Sequence, residues 1–195
     1  MAQDIFIHRE GTPANRVFGP LAASQSFKAG APVTLTAGAI ATCPADGTEV
    51  LDGEIYGFAF TAAAGVHAPS RTGSANGFGA ATGDLCPVIP ISAVISGQVQ
   101  LRTRNFWATG GQTRVAPDGA NINGDYQLTY NDDAGFLQWG VEETAGVVDT
   151  DCVVRVDQVL DENGIPLDIA DTTGGVWVVF HISSATDNLY APTSA

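Results

Sequence analysis

Between Phe27 and Phe60 the chain reads FKAGAPVTLTAGAIATCPADGTEVLDGEIYGFAF. Turn signals cut this stretch so often that no piece is long enough for an amphipathic helix, which confines it to short strands. Val33 and Leu35 alternate with Thr34 and Thr36, the pattern of a half-buried strand. Ala37-Gly38 turns the chain and Ile40-Ala41-Thr42 can return beside it. Pro44-Ala45-Asp46-Gly47 is a second turn, because Pro presets φ and Gly accepts φ > 0. Glu54 to Phe60 reads as a third strand, with Tyr56, Phe58 and Phe60 in one phase. Three strands joined by non-helical loops predict an antiparallel meander.

The same reading extends along the chain. Val88 to Thr103 gives two further strands with a bulge or turn at Gly97. Tyr126, Leu128 and Tyr130 share one phase and Leu137, Trp139 and Val141 another. Asn131 to Gly135 joins them as a hairpin loop. Cys152 to Leu160 fits strand and helix alike, and its β-branched residues favour strand. Asn163-Gly164 signals a type I′ turn. Val176 to Ile182 is apolar in both phases, as a strand covered on both faces should be. Thr61 to Asp84 is small and Gly-rich and is expected as a long loop, and the polar residues 184–195 are expected to fray. Residues 1–26 show two apolar runs, Ile5-Phe6-Ile7 and Val17-Phe18, broken by Gly11, Pro13, Gly19 and Pro20. They predict an extended N-terminal arm, with residues 27–195 forming a β domain of one or two lobes, the second joined through 105–123. The fold class expected is all-β: roughly eight to eleven strands in an antiparallel β-sandwich or barrel, jelly-roll-like, with long loops and no helix.

Charge is distributed unevenly. Residues 1–117 hold seven acidic and seven basic residues, which cancel. Residues 118–195 hold fourteen acidic residues against Arg155, so the whole net charge of −13 resides there. Such a field repels phosphate and argues against a nucleic-acid partner. It suits a solvated acidic surface, or a polar molecule whose neutral half docks while its acidic half faces out. No run of apolar residues is long enough to cross a membrane. The N-terminus lacks the basic-then-apolar pattern of a secretion signal, so synthesis and folding in a cytoplasm are expected. Cys43, Cys86 and Cys152 are widely spaced, with no CxxC or Cys/His cluster, and read as small buried residues in a reducing compartment.

Reactive constellations are scarce, so no enzyme, cofactor or metal is expected. His8, His67 and His181 stand in unrelated settings with no HExxH pattern, and no GxSxG elbow is present. Gly73, Gly77, Gly79 and Gly83 lack the Lys and spacing of a phosphate loop. Asp132-Asp133 and Glu142-Glu143 are adjacent pairs, which a strand points to opposite faces. Asn121, Asn123 and Asp125 alternate oxygen side chains, but Tyr126 stands where a calcium loop needs Gly, so a turn capped by its own side chains is the simpler reading. Trp107, Trp139, Trp177, Tyr126 and Tyr130 raise the alternative of a sugar-stacking platform on a virion or cell surface. The phases of Trp139 and Trp177 place them in a core, which leaves Trp107 as the exposed one. Exposed apolar residues mark contact sites, so Ile5, Phe6, Ile7, Val17 and Phe18 of the arm, with Trp107, are the candidate contacts.

The stretch from Phe27 resembles the capsid decoration, or cement, proteins of tailed bacteriophages. These carry an aromatic-x-x-Gly-x-Pro-Val-x-Leu opening, a Gly turn and a later Gly-Phe-Ala strand. The matching residues are Phe27, Gly30, Pro32, Val33, Leu35, Gly38, Gly57, Phe58 and Ala59. The resemblance covers about a third of the chain, and Tyr126 to Gly140 has the hairpin look of the second half of such proteins. It implies a non-enzymatic virion protein on the capsid exterior, in many copies, partnered by the major capsid protein and by itself as a homotrimer.

Overall fold

A computed structural model of the chain describes residues 5–10, 16–23, 25, 27–43, 55–60, 83–109, 113–133, 136–143 and 153–183. The elements in order are β1 (Ile5–Glu10), β2 (Val17–Pro20), β3 (Pro32–Thr36), β4 (Ala39–Thr42), β5 (Gly57–Ala59), β6 (Leu85–Pro90), α1 (Ile91–Ile95), β7 (Val99–Thr103), β8 (Phe106–Trp107), a 3-10 turn (Gly119–Asn121), β9 (Asp125–Asp133), β10 (Phe136–Glu142), β11 (Val153–Leu160) and β12 (Trp177–Ile182). They form a seven-stranded sheet, β1-β7-β12-β11-β9-β10-β8, and a five-stranded sheet, β2-β6-β5-β3-β4. The fold is all-β, of the sandwich type, and neither sheet closes.

The smaller sheet is built on the β3–β4 hairpin. Ala37 (φ 49°) and Gly38 (φ 79°) are both left-handed, the type I′ geometry that a two-residue loop needs to match strand twist. The third strand departs from the expected meander. β5 pairs with β3, not β4, so the chain after Thr42 passes to the far side of the first strand. The sheet also curls: Leu21, just beyond β2, bridges to Ile40 of β4, and Ala22 N donates to the Ile40 carbonyl at 2.9 Å. The fully buried Val33, Ile40, Cys86 and Val88 share the face inside this curl.

In the larger sheet, Trp139 lies opposite Tyr130 and Val141 opposite Leu128, as the shared phases predict. The ladder runs on to Asp133 and Phe136, so the β9–β10 connection is two residues long where five were expected. β11 is a strand, with a register shift between Val156 and Gln158 that accounts for its broken alternation. β12 sits between β7 and β11, and Val178, Val179 and Phe180 are fully buried. Gly164 has φ 81° while Asn163 does not, so the expected type I′ turn is a tight turn ending in a left-handed Gly, tied by Asp161.

Three expectations need correction. The first twenty-six residues are not a free arm where they are described: β1 pairs with β7 and β2 with β6, one in each sheet. Residues 105–123 are no linker between lobes, because β8 pairs with β10 and Asn105, Phe106 and Trp107 are buried; one hydrophobic cluster draws residues from both sheets. The predicted strand from Val88 is interrupted by α1. Ile91, Val94 and Ile95 recur at helical spacing, Val94 is fully buried, and Pro90 in extended geometry precedes the first turn while Gly97 (φ 70°) follows the last. Cys43 and Cys86 are free and buried. Cys152, His67, the Pro44 turn, the long loop at 61–82 and residues 184–195 lie outside the described residues.

Candidate functional site

Where β1 and β7 of the larger sheet meet β5 and β6 of the smaller, the sheets leave a cleft of about 260 Å³. Ile5, Ile7 and Leu101 form one wall and Phe58, Phe60 and Ile89 the other, with Phe6 and Arg102 also lining it. Phe58 and Ile89 are buried, whereas Phe60, in the same phase, leaves the sheet and is 48% exposed. The Phe60 N–H reaches the Pro87 carbonyl at 2.9 Å, which continues the β5–β6 register and places Phe60 beside Pro87. Phe18 lies opposite Pro87, and Leu85 is two residues before it. Phe18, Phe60 and Leu85, each about half exposed, therefore form an apolar strip beside the cleft.

The rim is basic and aromatic. The Arg16 guanidinium lies 4.8 Å from the Phe60 ring centre. On β12, Trp177 carries two guanidiniums against one indole, Arg102 at 4.6 Å and Arg104 at 4.3 Å, while Phe6 meets its edge at 5.6 Å. The strand order makes this cluster: Phe6 lies opposite Arg102, and Arg102 opposite Val179, two residues from Trp177. The Nε of Arg102 is buried and has no hydrogen-bond partner. Among the described residues no carboxylate pairs with Arg102 or Arg104, although the chain as a whole is strongly acidic.

His8 sits at the β1 bulge beside this rim. Partial burial and then the positive charges of Arg102 and Arg9 hold its pKa below the ordinary imidazole value. As pH falls below about 6.5 the unfolded chain takes up a proton that the folded chain resists, so folding stability drops. Asp161 and Asp171, held low chiefly by the Ile165 N–H and the Thr173 hydroxyl respectively, act in the same sense further down: their stabilisation is present above the ordinary carboxylate range and is lost as pH falls through their folded values. Thermal melts at pH 7 and pH 5 are therefore expected to show a lower midpoint at pH 5, and His8→Gln should reduce that difference. An unchanged difference in the variant would show that His8 does not contribute.

The expected contact residues separate. Ile5 is 1% exposed and Trp107 4%, so both are core side chains; Phe6, Ile7 and Val17 are half-buried, and Phe18 is exposed. Trp107 is buried rather than presented: Arg114 lies over its ring and its indole N–H has no partner. Trp139 is buried, and Arg102 and Arg104 both lie against the Trp177 ring. Asn121 is spent on capping: its Oδ1 accepts from Asp118 N at 2.8 Å and its amide donates to the Tyr126 hydroxyl at 3.0 Å. Asp125 faces Arg155 at 3.9 Å. His181 contacts both carboxylate oxygens of Asp157, which also accepts from Gln100. No group of three or more metal-ligating side chains occurs among the described residues, and no helix there is long and apolar enough to cross a membrane. Sequence reasoning missed Phe60, Leu85, Arg102, Arg104 and Trp177 as one surface, since only the strand order joins them. Compared with known proteins, the chain matches no family profile, no curated protein and no solved structure.

Proposed function

We propose that this chain is a structural virion protein that decorates the outside of a phage capsid and stabilises the shell by bridging neighbouring subunits. The observation that carries this reading is the exposed apolar strip of Phe18, Phe60 and Leu85, which lies on the half of the chain whose charges cancel. Apolar side chains grouped in this way on a charged protein mark a contact surface. The acidic half then faces water and keeps a densely decorated shell soluble.

The residues that resemble decoration proteins support the reading by their placement. Phe27 and Val33 are buried, Gly30 (φ 84°) and Gly38 take left-handed turns, and Gly57-Phe58-Ala59 is β5 itself. They lie together in and beside the smaller sheet. In this reading the partner is the major capsid protein, copies associate as trimers about local three-fold positions, and neither membrane nor nucleic acid is engaged. The protein is made in the host cytoplasm and ends on the capsid exterior.

Purified particles should carry the protein in many copies, and the Phe18→Ser/Leu85→Ser variant should leave them in a wash that retains the parent. Burying two half-exposed apolar side chains contributes about 2–3 kcal/mol, so shell affinity should fall roughly a hundredfold. The variant's melting midpoint should barely move, because exposed positions contribute little to folding. Absence of the protein from purified particles would remove the reading; retention of the variant would remove the strip from it.

A further inference from the structure

We infer that the arginine rim around Trp177 is a docking site for a second copy of this chain, and that the occupant is the acidic, isoleucine-bearing loop 161–171 of that copy. The inference stands apart from the capsid reading, since it needs no shell. Its first support is the unbalanced charge of the rim. Arg102 and Arg104 crowd one indole, Arg9 lies on the neighbouring strand, and no described carboxylate neutralises the pair. Stacking on Trp177 holds both guanidiniums in place and leaves their N–H groups to meet an anion. The Arg102 Nε is buried without a hydrogen-bond partner, and Arg102 and Phe6 also line the apolar cleft of Phe58, Phe60 and Ile89. The surface therefore suits a partner that brings carboxylates and an apolar side chain together.

The chain carries such a partner. In residues 161–171, DENGIPLDIAD, Ile165 is 60% and Ile169 59% exposed, the two most exposed large apolar side chains described. Asp161, Glu162, Asp168 and Asp171 flank them. This loop is not slack. Asp161 accepts from the N–H groups of Asn163 and Ile165, both at 2.8 Å, and Asp168 accepts from Ala170 N at 3.0 Å. Leu167 N reaches the Val159 carbonyl, and Gly119 N reaches the Asp171 carbonyl, each at 2.8 Å. Gly119 approaches the carbonyls of Asp168 and Ile169 so closely that no side chain would fit there. A preformed acidic loop that keeps two isoleucines in water matches a basic cleft with an apolar floor, and ordering costs on docking are small because the loop is already fixed. Complementary charge sets the register and rejects the wrong partner.

The test is a charge swap read by analytical ultracentrifugation. The parent chain should self-associate reversibly at tens of micromolar, on the order expected of a small interface. Arg102→Glu/Arg104→Glu and, separately, Glu162→Lys/Asp168→Lys should each weaken self-association at least about tenfold, as like charges then meet. Mixed in equal amounts, the two variants should associate with each other to within about threefold of the parent, because each loop then meets a patch of opposite sign. Should the arginine variant fail to fold, Ile169→Ser, at an exposed position, supplies the second arm and should also cost about tenfold. A parent that stays monomeric at about 100 μM, variants that associate like the parent, or a mixture that fails to recover would each overturn the inference.

Discussion

A chain lacking residues 1–22 is expected to lose its cooperative melt and to aggregate during purification. The missing piece contains β1 and β2, so each sheet loses a strand. Ile5 and Leu21 are 1% and 3% exposed, and Ile7 and Val17 pack against the same cluster. Burial of each such side chain contributes roughly 1.5–3 kcal/mol when complete, so four of them match much of the 5–15 kcal/mol that holds a typical domain together. Removing β1 also bares the β7 edge, and removing β2 bares the β6 edge, along with the backbone bonds that Leu21 and Ala22 make to Asp84 and Ile40. Unpaired apolar edges template pairing between chains, hence the aggregation. Far-UV circular dichroism on heating and size-exclusion chromatography decide the matter. A soluble truncated protein with the parent's melting midpoint would show that the two strands are accessory and that the segment is free to serve as an arm.

That result bears on function as well as stability. A segment that supplies an edge strand to both sheets cannot also leave the body to grip a partner without unfolding it. Any docking by these residues must therefore use side chains that the fold leaves outside. Phe18 is such a side chain, at 54% exposure, whereas Ile5 is not. Among the described residues of that segment the large apolar side chains are buried or half-buried apart from Phe18, which lies beside Phe60 and Leu85.

What was legible in the sequence is what short-range periodicity controls. The β3–β4 hairpin follows from Val33, Leu35 and the Ala37-Gly38 turn, and the β9–β10 pairing from the phases of Leu128, Tyr130, Trp139 and Val141. β12 was readable as a doubly covered strand because Val178, Val179 and Phe180 leave no polar phase. Pairings between distant segments were not readable. Nothing local in Ile5–Glu10 says that its partner is Val99–Thr103, and nothing in Gly57–Ala59 says that it passes β4 to reach β3. α1 was missed because five residues barely complete a turn and a half, too few for the 3.6 period to outweigh the β-branched Ile91, Val94 and Ile95. The arginine rim was invisible for the same reason as the sheet order: Phe6, Arg102 and Trp177 meet only because β1, β7 and β12 are neighbours. Trp107 misled because residues 105–123 read as a connection between lobes, while here a two-residue strand carries it into the core.

Gly57→Ala is expected to destabilise the fold by about 3 kcal/mol, the upper end of what overpacking costs, and to lower the melting midpoint by roughly 6–12 °C. Gly57 lies in β5 between β3 and β6, and a methyl group there would overlap the Ile89 carbonyl oxygen and the Val88 side chain. A flexible side chain could swing aside, but a carbonyl fixed in a sheet cannot, so strand β6 itself must shift. Because Ile89 also lines the cleft and Val88 fills the curl, that shift should loosen both. Gly38→Ala isolates a different requirement. No atom lies within 4 Å of a Cβ there, but φ is +79°, so the substitution costs only the left-handed strain of about 1–2 kcal/mol. Ala37, at φ 49°, already bears that strain in the parent, and Ala37→Gly should return about 0.5–1 kcal/mol by relieving it, less what the freer unfolded chain takes back. Denaturant melts of the three variants should thus rank Gly57→Ala below Gly38→Ala below the parent, with Ala37→Gly at or slightly above it. If Gly38→Ala proves the more damaging of the two alanine variants, the β5–β6 contact is softer than its geometry implies, and the curl of the smaller sheet can open at its centre.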